Sequence, residues 1–255
     1  RPLPHCQIEK RRLRYEDVYP VLYLKYTLYQ CRNHHGIKHV VVDEMQDYSR
    51  LQYLIIRRMF SCKMTILGDR AQTMADQQQD VLQFLPGIFG KDLRRIEMRK
   101  SYRNTVEIAS YAANLIGVTD LELFERHGIP VVERDVTDLE AALREAVDTL
   151  FPEEKTYETA AVIVPDEKTA ERAYLILREI LAEKDFDCEK RLSWLNRDSS
   201  SFKKGLTVTT FYLAKGLEFD QVFSIFPKDE KREMMMQAQY IAATRALHEL
   251  RVYHI

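Results

Sequence analysis

The sequence contains no Cys-x-x-Cys pair; Cys6, Cys31, Cys62 and Cys188 are scattered along it. That spacing suggests neither a zinc site nor a disulfide framework, and it fits reduced thiols in a cytosolic protein better. His34, His35 and His39 lie near Cys31 but match no metal-ligand spacing, so they read as loop histidines. No apolar run approaches the length of a membrane span, and the start, Arg1-Pro2-Leu3-Pro4-His5-Cys6, has no signal-peptide core. No membrane partner is expected. Nor does charge of either sign dominate: the formal net charge is −1, so any contact with nucleic acid has to be local. The first residue is not Met, and the chain is expected to be part of a longer protein.

What is present is a globular composition, 255 residues with 45% apolar and 30% charged side chains, enough for one large or two modest cores. The chain is organised around His39-Val40-Val41-Val42-Asp43-Glu44-Met45-Gln46-Asp47. The three valines read as a strand buried on both faces, ending abruptly in carboxylates. In open α/β sheets functional groups gather at the carboxyl ends of strands. An Asp-Glu pair there suits Mg²⁺ binding and activation of a water that attacks phosphate. It equally suits a plain helix N-terminus, where carboxylates favour the dipole, and the pair alone leaves both readings open.

Helical spacing is read over Tyr15–Cys31 (Val18, Leu22, Tyr26, Tyr29) and over Ser49–Phe60 (Leu51, Leu54, Ile55, Met59). Met64–Leu67 reads as a strand that runs into Gly68-Asp69-Arg70-Ala71-Gln72. Pro86-Gly87 and Gly90 break the pattern, which places a domain boundary near residue 92. Beyond it, strands are expected at Arg94–Met98, Gly128–Arg134, Thr159–Val164, Leu206–Phe211, Val222–Phe226 and Arg251–Ile255. Helices are expected to about Ile116 after Thr105, and over Thr137–Phe151, Lys168–Lys184 and Glu233–Leu250. Asp185–Lys204 reads as a loop or irregular hairpin. Strands alternating with helices predict an α/β fold with parallel sheets covered by helices.

Five strand-end segments, taken in order, resemble superfamily 1 helicases of the UvrD type. Asp43-Glu44-Met45-Gln46-Asp47 is similar to motif II and Gly68-Asp69-Arg70-Ala71-Gln72 to motif III. Ser101-Tyr102-Arg103-Asn104-Thr105 resembles motif IV, Thr210 through Asp220 motif V, and Tyr240 through Ala246 motif VI. Within the family the resemblance is nearest to the HelD-type proteins, bacterial motors that recycle RNA polymerase. Tyr212 stands where UvrD-like helicases usually carry His. About a hundred residues separate motifs IV and V, too few to hold a large accessory domain as well.

The resemblance implies two RecA-like (P-loop NTPase type) parallel-sheet domains, residues 1–92 completing an incomplete first and 93–255 forming the second. ATP and Mg²⁺ are the implied cofactors, with nucleotide held between the domains. Asp43 would hold Mg²⁺ through water, Glu44 would act on the attacking water, and Gln72 would sense the γ-phosphate. Arg103 and Arg245 would act as arginine fingers, and Tyr102, Gly216 and Glu218 would bind the nucleotide. Lys215 and Tyr212 would touch nucleic acid. The phosphate-binding loop Gly-x-x-x-x-Gly-Lys-Ser/Thr is absent, so the N-terminal half of the first domain is expected upstream and this piece is expected to be inactive alone. Ala75, Asp76 and Gln77 stand where UvrD-like helicases place base-stacking aromatics. The expected partners are that N-terminal half, RNA polymerase, and single-stranded or duplex DNA. The rival readings are a UvrD-type DNA helicase in repair and a non-catalytic docking module.

Overall fold

The computed structural model describes residues 13–29, 34, 36–69, 72, 80–98, 100–119, 122–184, 186–197, 199, 204–228 and 233–255. Arg70, Ala71 and the 75–77 segment lie outside them. The chain divides into two compact units, Arg1–Ile96 and Glu97–Ile255.

The first unit carries helix α1 (Tyr15–Leu28), strand β1 (His39–Val42), helix α2 (Arg50–Met59), strand β2 (Lys63–Ile66) and helix α3 (Val81–Phe89). β1 and β2 pair in parallel, His39 opposite Lys63 and Val42 opposite Ile66, with α2 as the crossover. A capping box starts α2: Ser49 Oγ accepts from Gln52 N–H, and the Gln52 side chain accepts the Ser49 N–H at 2.7 Å. The buried face of α2 is centred on Tyr53 and Ile55 rather than on Leu51, Leu54 and Met59. Tyr53 tolerates full burial because its hydroxyl donates to Met45 O at 3.1 Å. One expectation fails here. Val42 is buried but Val41 is 62% exposed, so β1 is not covered on both faces; among the described residues it has one strand neighbour. The helix expected from Tyr15 does form, as α1, though none of its residues is buried and Val21, Leu24 and Leu28 are exposed.

Residues 94–98 form no strand. Their alternation meets no partner strand among the described residues, and Ile96 is left 86% exposed. The second unit opens with strand β3 (Lys100–Ser101), helix α4 (Val106–Leu115) and strand β4 (Glu122–Leu123). It continues with β5 (Val132–Asp135), α5 (Leu139–Asp148), β6 (Thr159–Val164), α6 (Glu167–Ala182), α7 (Cys188–Arg191) and β7 (Leu192–Trp194). Last come β8 (Gly205–Thr210), β9 (Phe219–Phe226), α8 (Glu233–Ala243) and β10 (Ala246–His254). β3 and β4 form a small parallel pair. The other six strands make one sheet in the order β5-β10-β9-β6-β8-β7, parallel throughout. This is the expected α/β parallel-sheet class.

Ala160 to Val164 in β6 are all fully buried, as a central strand between two helical layers requires. Val162 and Val164 face α5 and α6, whose Leu143, Ala146, Ala173 and Leu177 join the same core. Both helices start at Asp caps: Asp138 accepts from Ala141 N and Asp166 from Lys168 and Thr169 N. On the other face α8 packs on β9 and β10, and α4 packs on α8.

Two element assignments are corrected. The helix expected over Glu233–Leu250 stops at Ala243, because β10 starts at Ala246 opposite Phe219 and Phe219 N–H donates to Arg245 O at 2.9 Å. The segment expected to be a loop or hairpin instead supplies α7 and β7, and β7 adds to β8 in parallel as an edge strand.

Candidate functional site

Because β1 and β2 are parallel, their carboxyl ends leave the sheet side by side. Leu67 N–H donates to Val42 O and Met45 N–H to Leu67 O, each at 2.8 Å, so the segments after the two strands are laced together. Asp43 is exposed, and its Oδ1 accepts from Glu44 N–H at 2.8 Å. Glu44 has φ 52° and ψ 50°, a left-handed conformation that costs a non-glycine residue about 1–3 kcal/mol. Its carboxylate accepts from Gln46 Nε2 at 2.5 Å. Gln46 is buried, and its Oε1 accepts from Asp69 N–H at 3.1 Å. Asp69 Oδ2 in turn accepts from Gln72 Nε2 at 3.0 Å, and Gln72 is also buried. The expected residues Glu44 and Gln72 are therefore ends of one hydrogen-bonded chain, Glu44–Gln46–Asp69–Gln72.

Gly68 is required by this packing. A Cβ there would lie 2.5 Å from Gln46 Oε1 and 2.6 Å from Met45 N. Gly68→Ala is expected to destabilise the first unit by about 2 kcal/mol, read as a lower urea midpoint by far-UV circular dichroism.

The hard oxygen of Asp43 fits Mg²⁺. Among the described residues no three His, Cys, Asp or Glu side chains converge as a metal site. A cation here would be held by one carboxylate, water and phosphate, which is how Mg²⁺ is commonly bound.

In the second unit Arg103, Glu218 and Arg245 gather at the amino ends of β9 and β10. Arg103 Nη1 donates to Glu218 Oε1 at 2.8 Å, in a pair that is partly exposed. Asn104, buried beside it, donates through Nδ2 to Ala246 O at 2.7 Å and Thr244 O at 3.3 Å. Arg245 is 2% exposed: its Nε donates to Ile241 O at 3.2 Å and its Nη2 to Thr244 Oγ1 at 3.0 Å. Its guanidinium is thus turned into its own unit. Tyr102 is exposed, tilted against Phe124 at 5.6 Å, with Lys100 Nζ over both rings.

Gly216 has φ +76° in the exposed turn that also holds Lys215, a conformation that favours glycine. Tyr212 is not brought to the Arg103 cluster. It follows the carboxyl end of β8, edge-on to Phe211, with Arg197 over its ring at 6.0 Å. Sequence reading missed the linking side chains. Gln46 and Asn104 lie inside the quoted motifs and were open to suspicion as polar residues at strand exits. Arg126, whose Nη1 donates to Arg103 O at 2.8 Å, carried no signal at all.

No family model matches the chain, and no curated protein matches it. Among solved structures it is similar to the C-terminal domain of a possible DNA helicase from Lactobacillus plantarum WCFS1, at 23% identity and TM-score 0.45, over 61% of this chain and 88% of that one. It is similar to the PRRSV helicase at 17% identity and TM-score 0.46, and to arterivirus nonstructural protein 10 (helicase) at 14% and 0.40. Each of these covers 85% of this chain, which spans only 35% and 39% of the two viral chains.

Proposed function

We propose that the chain is the C-terminal part of an ATP-driven superfamily 1 motor of the HelD type, which remodels RNA polymerase–nucleic acid complexes in the bacterial cytoplasm. The observation that carries this reading is the strained Glu44 at the end of β1, hydrogen-bonded through Gln46 and Asp69 to Gln72. Strain of this kind persists where the surroundings over-determine it, and it concentrates at sites of chemistry. Asp43 would hold Mg²⁺, and Glu44 would orient and deprotonate the attacking water. Gln72 reports γ-phosphate loss to β1 through Asp69 and Gln46. Bound Mg²⁺ supplies charge neutralisation on the phosphates.

Arg103 has the fork geometry for phosphate oxygens and exchanges Glu218 for them, which releases Glu218 to accept from the ribose. Tyr102 stacks on the base. Arg245 serves by holding the end of α8 to the start of β10, where Asn104 is anchored.

The test is steady-state ATP turnover of the full-length protein alone, with single-stranded DNA, and with core RNA polymerase. Stimulation by polymerase with little response to DNA supports the HelD-type reading. Strong stimulation by DNA alone replaces it with a UvrD-type helicase or translocase, and no turnover under any condition leaves a docking module.

A further inference from the structure

We infer that Arg126 is a positioning residue for Arg103, acting as a clamp that His248 locks. The inference rests on the arginine-finger reading of Arg103 given above. Arg126 Nη1 donates to Arg103 O at 2.8 Å, while its Nη2 donates to Leu247 O at 3.0 Å and to His248 Nδ1 at 2.7 Å. One guanidinium thus ties the backbone of Arg103 to the second and third residues of β10. Asn104 makes the parallel tie to Thr244 O and Ala246 O. The Arg103 side chain is partly exposed and paired with an exposed carboxylate, so its aim depends on the backbone that carries it.

The loop bearing Arg126 is itself fixed. Val106 N–H donates to Arg126 O at 2.9 Å, and Glu107 accepts from Gly128 N–H at 2.9 Å and pairs with His127 at 3.0 Å. The hydrogen bond to His127 holds the Glu107 carboxyl down to about 2. Gly128 completes the fit, because a Cβ there would meet the Thr105 methyl at 2.6 Å.

A guanidinium only donates, so His248 Nδ1 must be the acceptor and the ring is neutral, with its proton on Nε2. Nε2 lies 3.7 Å from Asp220 Oδ1, and the Tyr157 ring stacks on the imidazole at 5.6 Å. Burial, then the positive charges of Arg126 and Lys155, push the His248 pKa below its ordinary value, against the opposing pull of Asp220. Asp220 stays ionised: burial acts to raise its pKa, but hydrogen bonds from Glu158 N, Thr159 N and Thr159 Oγ1 outweigh it. Protonation of His248 removes the acceptor from Arg126 and sets a second positive charge against it. With the folded pKa lowered, the clamp is still intact at the ordinary imidazole value of about 6.5 and is lost only as pH falls through the lower folded value.

The experiment measures kcat and KM for ATP in the full-length protein for Arg126→Lys, His248→Asn and Arg103→Ala, with melting temperatures alongside. Arg126→Lys keeps the charge but loses the fork, and it is expected to lower kcat about ten-fold or more with KM changed less than two-fold. His248→Asn retains an acceptor that cannot be protonated, so it is expected to keep kcat at pH 7.5 and to lose the wild-type fall in kcat that sets in below about pH 6.5. Unchanged kcat in Arg126→Lys, a loss matched by a lower melting temperature and cured at low temperature, or an acid limb retained in His248→Asn would overturn the clamp. If Arg103→Ala itself leaves turnover intact, the arginine-finger reading fails, and the clamp falls with it.

Discussion

Glu44→Gln in the full-length protein is expected to lower ATP turnover by about 10²–10⁴-fold, the range a positioned general base contributes, while nucleotide binding is retained. The substitution separates chemistry from structure. Gln46 Nε2 donates to Glu44 Oε2 at 2.5 Å, and the amide oxygen of a glutamine at position 44 can accept the same hydrogen bond. The chain through Gln46 and Asp69 to Gln72 therefore survives. What disappears is a carboxylate able to take a proton from water. Single-turnover hydrolysis and binding of a fluorescent ATP analogue separate the two quantities. Turnover at the wild-type rate would mean that Glu44 is not the water-activating residue.

Gly205→Ala is expected to destabilise the second unit by about 3 kcal/mol, joining backbone strain to a steric clash. Gly205 opens β8 with φ +115°, where an L side chain is rarely found. A Cβ there would also run into the backbone of Arg191. That backbone has little room to yield, because the Arg191 guanidinium is held over the rings of Phe151 and Phe186, each at 4.9 Å. The chain supplies its own probe: Trp194 is the only tryptophan and sits on β7 opposite Val208 of β8. Urea unfolding followed by its fluorescence should shift to a lower midpoint. An unchanged midpoint would show that the start of β8 can move away from Arg191 at little cost.

The sequence was most legible where burial is complete. Thr159–Val164 was read to the residue because a central strand carries an unbroken apolar run bounded by turn chemistry. Thr244 to Leu250 was misread because Ala-Thr-Arg-Ala-Leu is as acceptable to a helix as to a strand. The choice is made by pairing with β9, which local sequence does not contain. Arg94 to Met98 shows the converse, an alternating pattern with no ladder to join. The three-residue β7 had too little pattern to be seen at all. For the candidate site, the motifs named residues of both clusters, but the carboxyl-end rule located only the first. The linkers Gln46, Asn104 and Arg126 act through backbone carbonyls, amides and a neutral imidazole, contacts that leave no spacing to read.

The strand order β5-β10-β9-β6-β8-β7 also governs how the second unit can be made. β10 lies between β5 and β9, so Arg251 pairs with Val132 on one side and with Phe223 on the other. Until β10 has left the ribosome, β5 has no neighbour in the large sheet and β9 presents an open apolar edge. Contacts this distant in sequence make for slow folding and for intermediates with exposed strand edges. The carbonyls that anchor Asn104 and Arg126 lie at the start of this late strand, so both ties form only once β10 has been made.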